Sequence, residues 1–464
     1  MEGTELGRLH RGRWPGLSGG DGLSAAGSVS VADVAANSVK VDVSMLDRRF
    51  IRENPDAVKA AVRVKGLNVD VDELLDLDAR TRKLQQELDL AQTRRKSSSK
   101  EFAKADETRR AELRAESAEL DEHMRALREQ LGEAGGRLEA LLLLTPTIPW
   151  EGAPVGADEA ANVVIKRHGT PPAFDFTPLD HVELLEKRGW ADFTRARKVA
   201  GERAYALTGK AVLLERAMHS YALDLLNGRD FTLISVPSLV REEALIGTGQ
   251  FPMHREETYA ITADDLYLAG TAEVALVGFH SGEILDFKQL PIRYAGISPC
   301  FRREAGSAGR DVRGLLRVHQ FEKVEQFVIC AADDAESDRW HAELLGAAEH
   351  LLQGLGLAYE VLECATGDMG AGKYRMNDIN TWMPSLDTFR ETHSCSSLHD
   401  WQARRANLRY RATDGTVKFA YTLNNTAIAT PRLLAALVEN FQDASQQIRI
   451  PDVLRPYLGG TELL

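Results

Sequence analysis

Residues Cys300 to Phe327 read CFRREAGSAGRDVRGLLRVHQFEKVEQF. Immediately before and into this stretch, Arg293 to Arg302 carries apolar and polar residues in rough alternation, the period of a half-buried strand. Glu304 to Gly314 is polar and punctuated by three glycines, which breaks the strand pattern. Leu315 to Ile329 then resumes with apolar Leu316, Val318, Phe321, Val324, Phe327 and Ile329, and predicts a second strand. The sum is a long hairpin with a glycine-rich tip, with Arg302, Arg303, Glu304, Arg317, His319, Glu322 and Glu325 close to its body. The guanidinium fork suits multiply charged oxyanions, because it donates bidentate hydrogen bonds. Acidic residues among such arginines suit a cationic amine or a Mg2+-bound triphosphate. Charges alone fit a solvated hairpin with cross-strand ion pairs equally well, since such pairs are common and weakly stabilising.

The rest of the chain narrows the class. Its 464 residues suffice for two or three domains with one sizeable core, and 44% apolar with 27% charged residues is ordinary globular composition. A net charge of −12 confines any nucleic-acid binding to a local basic patch. The four cysteines, Cys300, Cys330, Cys364 and Cys395, form no CxxC pair, so neither a disulfide framework nor a zinc cage is expected, and a reducing cytoplasm fits. No run approaches the roughly 18 apolar residues of a membrane helix, so no membrane association is expected.

Residues 1–44 are rich in Gly, Ser, Ala and Val, and Arg8, Arg11 and Arg13 are not followed by a secretory apolar core; they read as a disordered extension or an upstream start. Residues 45–150 read as a helical arm. Asn54-Pro55 opens a short helix to about Lys65, and two long helices follow near 72–103 and 106–144. In the second, Leu113, Ser117, Leu120, Met124, Leu127, Leu131, Ala134, Leu138 and Leu141 recur at gaps of four and three; the first shows Leu77, Leu84, Leu88 and Ala91. Two such stripes across a polar break predict an antiparallel coiled-coil hairpin, at about 1.5 Å per residue on the order of 45–50 Å long. Its tip, from Arg94, Arg95 and Lys96 through Lys100 to Lys104, carries five basic residues against one acid. Taken alone, that run reads as a solvated face or a dimerising coil. Thr145-Pro146 stops the second helix, residues 151–170 form a linker, and residues 171–464 mix helix and strand patterns as an α+β domain with a mostly antiparallel sheet.

The order Phe301-Arg302-x-Glu304, a glycine-rich loop and then Arg317 resembles motif 2 of the class II aminoacyl-tRNA synthetases. The surrounding words resemble the seryl-tRNA synthetases over about residues 45 to 458. Helix 211–226 running into Phe231–Pro237 resembles motif 1, which implies a symmetric homodimer. Gly270-Thr271-Ala272-Glu273 resembles the family's T-x-E loop, and Leu423 to Arg432 resembles motif 3 with Thr430 as N-cap and Pro431 as first helical residue. Each word is common by itself; three motifs in order with T-x-E between the first two are specific.

The resemblance implies ATP-dependent activation of L-serine to seryl-adenylate and transfer to tRNA(Ser), with tRNA(Sec) a further substrate where it exists. It also implies the class II architecture, a sheet with flanking helices, preceded by the coiled-coil arm. By resemblance, Arg302, Arg432 and Glu391 are catalytic, and Thr271, Ala272, Glu273, Arg302, Glu325 and Thr426 hold serine. The nucleotide falls to Arg302, Arg303, Glu304, Arg317, Val318, Phe321, Glu391, Thr392, His393, Ser394 and Arg432. Glu391 and Ser394 are the expected Mg2+ ligands, and ATP and Mg2+ the cofactors, with no zinc. Arg94, Arg95, Lys96, Lys100, Arg310 and Arg313 are expected on tRNA, the arm reaching the tRNA of the other subunit.

The chain departs from commoner family wording at His393 and Ser397, at Asn380, and at Asn425-Thr426. Those departures admit a specialised paralogue, inhibitor-resistant or attached to a biosynthetic pathway. An adenylating enzyme with a carrier-protein acceptor would lack the arm, and a silent tRNA-binding regulator would have lost motif arginines or pocket carboxylates. Neither loss occurs.

Overall fold

A computed structural model describes residues 47–305 and 313–464; the extension reading for residues 1–44 and the expectation for Arg310 fall outside the described residues. The chain opens with short helices α1 (Arg48–Glu53) and α2 (Pro55–Val64), the first of them not anticipated, and then the long pair α3 (Val71–Phe102) and α4 (Glu107–Leu144). Asp70 and Asp106 cap the long helices by accepting from the backbone N–H of Glu73 and Arg109, both at 2.9 Å. Leu84, Leu88 and Ala91 of α3 are buried against Met124, Leu127 and Ala134 of α4, so the heptad positions do form the seam.

Near the base, Arg137 donates two 2.7 Å bonds to Glu73, a bidentate clasp between the helices. There the arm also stops being a separate body. Ile51, Val58, Val62, Leu74, Leu138, Leu141 and Leu142 share one apolar cluster with Ala371, Leu398 and Trp401 of the globular part. Trp401 donates its indole N–H to Thr145 O at 3.2 Å, and buried Arg405 reaches Leu143 O.

The globular part is built on one eight-stranded sheet. Its strands in chain order are β1 (Val163–His168), β2 (Thr232–Ser235), β3 (Ile292–Phe301), β4 (Gln320–Cys330), β5 (Tyr359–Glu363), β6 (Arg375–Met383), β7 (Thr388–His399) and β8 (Tyr421–Ala429). They lie in the order β1-β5-β6-β7-β8-β4-β3-β2, antiparallel throughout except for the β2–β3 pair. Helices α5 (Lys210–Asn227), α6 (Asp334–Leu355) and α7 (Thr430–Asn440) contribute to the main core. Leu344, Ala347, Leu351 and Leu355 of α6 meet Val324, Ile379, Cys395 and Ala427 of the central strands. Full burial of each such leucine contributes about 1.5–3 kcal/mol. Strand alternation fixes what remains: one face of β4, β7 and β8 belongs to this core, and the other is free to build a site. Among the described residues no helix is long and apolar enough to cross a membrane.

Two expectations are corrected. The second strand of the hairpin begins at Gln320 rather than Leu315. Gly314, at φ +74°, sits so close to His181 that a Cβ there would lie 2.2 Å from Nε2, and Leu315 N–H donates to that nitrogen at 3.1 Å. The chain is drawn into the body and Leu315 is buried, so residues 315–319 form a shelf under the hairpin instead of a ladder. Thr430 is the first helical residue of α7, not its cap; Ala429 occupies that position, and the Thr430 hydroxyl pairs with His219 Nε2 at 2.7 Å.

His219, His341 and His393 are buried, and burial pushes each pKa down to about 4. Their unfolded value lies near 6.5, so between about pH 4 and 6.5 the unfolded chain binds more protons than the folded one. The stabilisation is therefore present above pH 6.5 and lost as pH falls toward 4. We expect the urea midpoint to drop steadily over that window, each histidine contributing up to about 1.4 kcal/mol per pH unit. A midpoint flat from pH 6.5 to 5 would contradict the neutral assignment.

Candidate active site

Strand alternation places the site residues. Along β4, Phe321, Lys323 and Glu325 face one way, while Val324, Gln326 and Val328 face helix α6. On β8, Thr426 stands directly opposite Glu325, and on the β6–β7 pair Ser394 stands opposite Asp378. These side chains line a cleft in two connected lobes of about 230 Å³ and 90 Å³. Arg302, Lys323, Glu391 and Thr426 border both.

The larger, inner lobe brings together Thr271, Glu273, Arg302, Glu325, Glu391, Ser394 and Thr426. Thr271 caps the short helix Ala272–Phe279, its hydroxyl accepting from Glu273 N–H at 3.3 Å. Glu273 accepts at 2.6 Å from Gln402, which in turn accepts from Thr422 at 2.7 Å. Burial, reinforced by the neighbouring charge of Glu325, holds the Glu273 pKa above its ordinary value. Glu325 pairs with Lys323. Three carboxylates (Glu273, Glu325, Glu391) and three cations (Arg302, Lys323, Lys373) thus line one small chamber, which suits a zwitterion better than a simple anion or cation.

The outer lobe is lined by Glu304, Leu316, Arg317, Val318, Phe321, Thr392 and Arg432 beside the shared residues. Glu304 sits at φ +52°, a costly conformation for a non-glycine residue, and its carboxylate accepts from Arg317 at 2.7 Å. The Arg302 guanidinium lies 5.3 Å from the Phe321 ring centre, leaving a slot with an aromatic floor and cationic walls. Arg432, in the first turn of α7, donates to Glu391 through its backbone oxygen at 2.8 Å and its carboxylate at 3.1 Å, and to Leu316 O at 3.1 Å.

Burial alone would raise the Glu391 pKa, but Arg432, with Arg302 and Lys373, holds it below the ordinary carboxylate value. Asp378, behind it, is pushed up to about 7 by burial and then by the Glu391 charge. The Ser394 hydroxyl is buried with no hydrogen-bond partner. An ionised carboxylate beside an unsatisfied hydroxyl is a hard-oxygen donor set that fits Mg2+.

Several expected residues lie elsewhere. Ala272 is buried under the T-x-E turn and lines neither lobe. Arg303 is exposed and donates to Glu256 O at 3.0 Å. His393 faces the core, bonded to Thr392 and to Ala427 O at 3.0 Å. Ser397, also on that face of β7, bonds Ser337 at 2.9 Å. The departures at His393 and Ser397 therefore do not touch the cleft. Arg313 pairs with Asp180 at 2.7 Å. At the arm tip Arg94, Lys96 and Lys100 are exposed, whereas Arg95 is tied to Asp121 at 3.0 Å.

Against known proteins, residues 253–441 match the tRNA synthetase class II core domain (G, H, P, S and T), and residues 45–149 match the seryl-tRNA synthetase N-terminal domain. The serine--tRNA ligase of Deinococcus radiodurans is 53% identical over 420 residues, covering 90% of this chain and 99% of that protein. The chain belongs to the seryl-tRNA synthetase family. The serine--tRNA ligase of Thermotoga neapolitana is 42% identical over 422 residues, 89% of this chain and 99% of that one. The seryl-tRNA synthetase of Pyrococcus horikoshii, solved in complex with ATP, superposes with a TM-score of 0.82 at 38% identity over 90% of this chain and 99% of that one. The cytoplasmic enzyme of Naegleria fowleri, solved in complex with AMP, follows at 0.78 and 31% identity, over 90% and 96% of the two chains.

Within this aminoacyl-tRNA ligase, several lining residues were given no role by the sequence reading. Lys323 had a signal, its period-two spacing with Phe321 and Glu325. Gln402, Lys373 and the adjoining wall 370–372 had none, because they enter the cleft through a helix and a turn far away in sequence.

Proposed function

We propose that this chain activates L-serine with ATP and transfers the seryl group to the 3′ end of tRNA(Ser). One observation carries the reading: a mixed-charge inner chamber opens, across Arg302 and Glu391, onto an arginine-lined aromatic slot. In it serine fills the inner lobe, its ammonium met by Glu273 and Glu325 and its hydroxyl by Thr271 and Thr426. A chamber that hydrogen-bonds a hydroxyl rejects analogues lacking it strongly, because its own polar groups would be left unpaired. The adenine lies on Phe321 with Glu304 at its edge, and Arg317 and Arg432 take the outer phosphates.

A serine carboxylate oxygen attacks the α-phosphorus, the bond to the bridging oxygen breaks, and pyrophosphate departs with the electron pair. The nucleophile is already ionised, so no general base is needed, which agrees with the burial of His393. Arg302 neutralises charge at the α-phosphate. Glu391 and Ser394 would hold Mg2+, and the ion would supply further neutralisation of phosphate charge. The terminal tRNA hydroxyl then attacks the seryl carbonyl and AMP leaves. The ATP and AMP complexes of the two structural relatives support the nucleotide slot.

The arm, with Arg94, Lys96 and Lys100 exposed at its tip, is read as the tRNA grip. The homodimer reading draws on edge strand β2 and helix α5, where Leu233 and Leu213 are 44% and 55% exposed. A sedimentation profile showing only monomer at micromolar concentration would count against it. Four buried cysteines, none in a disulfide, agree with a cytoplasmic setting. The deciding experiment is ATP–pyrophosphate exchange across all twenty amino acids, followed by charging of total tRNA. Serine-dependent exchange with charging is expected. Exchange without charging would point to another acceptor, and no exchange to a silent protein.

A further inference from the structure

Lys65 lies just past the end of α2, at the base of the arm, yet its side chain works in the other part of the molecule. It is 4% exposed, and its ammonium donates to three backbone oxygens of one turn: Gly370 at 3.3 Å, Ala371 at 3.0 Å and Lys373 at 2.7 Å. Three donors on one nitrogen meet three acceptors, and among the described residues no carboxylate pairs with it. Burial, with the nearby charge of Lys373, pulls the Lys65 pKa well down. A buried cation spent wholly on carbonyl groups is costly to keep, so what it holds is informative.

What it holds is one wall of the inner lobe. Gly370, Ala371, Gly372 and Lys373 all line that chamber. The turn has little fastening of its own: one internal bond, from Lys373 N–H to Gly370 O at 3.1 Å. Its remaining ties run outward. Thr147 N–H, from the segment leaving the arm, donates to Ala371 O at 3.0 Å, and Gly372 lies so close under Trp401 that a Cβ would fall 2.3 Å from the ring. Against these, Lys65 alone contributes three hydrogen bonds from one side chain.

We propose that Lys65 is a positioning residue for amino-acid activation: it sets the 370–373 wall, and with it the Lys373 ammonium, against the serine-binding chamber. The wall borders the inner lobe only, and none of its residues lines the nucleotide slot. Lys65 therefore acts chiefly on amino-acid binding and reaches the nucleotide side only through the charge that Lys373 places near Glu391. The inference rests on the reading that serine occupies the inner lobe.

The test is serine-dependent ATP–pyrophosphate exchange by the full-length enzyme carrying Lys65→Met, which keeps the buried stem and removes the donors. KM for serine should rise about tenfold, with KM for ATP unchanged within twofold. A merely structural role would lower the active fraction and Tm and leave the serine KM of the surviving sites as it was, which overturns the proposal. Should Lys65→Met not fold, Lys65→Gln, which keeps two donors, decides by the same measurement: a smaller rise in serine KM supports the proposal and none overturns it. Thr271→Ala run alongside separates the two failures. If it raises the serine KM and the Lys65 variants do not, the positioning role falls and the chamber assignment stands. If neither moves it, the chamber assignment falls as well.

Discussion

Arg302→Ala will reduce serine-dependent ATP–pyrophosphate exchange by at least about a thousandfold, chiefly in kcat. Arg302 borders both lobes, so it is the cation that the amino-acid carboxylate and the α-phosphate can share. It is held by the Phe321 ring at 5.3 Å and by Gly270 O at 3.4 Å, and by no carboxylate among the described residues, which leaves its fork to substrate. Adenylation is a displacement at phosphorus in which the protein mainly positions the reactants and absorbs developing charge, and an arginine in that role contributes on the order of 10³ or more. Arg302→Lys should recover little, because an ammonium cannot span two oxyanions in the plane of the fork. The side chain is exposed in the cleft, so Tm should shift by less than about 2 °C. Exchange within tenfold of the parent would remove Arg302 from the catalytic assignment.

The second large effect lies at the far end of the arm. The triple variant Arg94→Ala, Lys96→Ala, Lys100→Ala should cut kcat/KM for tRNA(Ser) charging about a hundredfold and leave pyrophosphate exchange intact. Phosphate contacts of this kind read shape and charge, and each lost cation removes close to one unit from the slope of log affinity against log salt. The variant slope should be shallower by about two to three units. Arg95 is left in place because its pairing with Asp121 already engages it. If charging and exchange fall together, the arm is a folding element; if neither falls, the tip is a solvated face and the grip lies elsewhere.

The sequence by itself determined the periodic elements and the local words. Heptad gaps located the arm because an apolar seam between two helices repeats in one dimension, and its interior holds the Leu84–Leu88–Ala91 and Met124–Leu127–Ala134 positions. Alternation and punctuation located the hairpin, and the residue order around Arg302, Glu304, Arg317 and Arg432 identified the family. The resemblance named Phe321 and Glu325, and because side chains facing a cleft from a strand recur at every second residue, it put Lys323 within reach.

Tertiary structure decided what depends on distance across the chain. Only the β6–β7 and β4–β8 registers set Ser394 by Asp378 and Glu325 by Thr426. The face of β7 that carries His393 and Ser397 is taken up by the helical core, so a motif read as contiguous is split between cleft and interior. The shelf at 315–319 exists because His181, over a hundred residues upstream, accepts the Leu315 N–H. Lys65 shows the limit most plainly. In sequence it is one lysine after a short helix; in space its ammonium closes three hydrogen bonds on a turn roughly three hundred residues away. A buried cation takes its meaning from the acceptors around it, and no local pattern records where those acceptors come from.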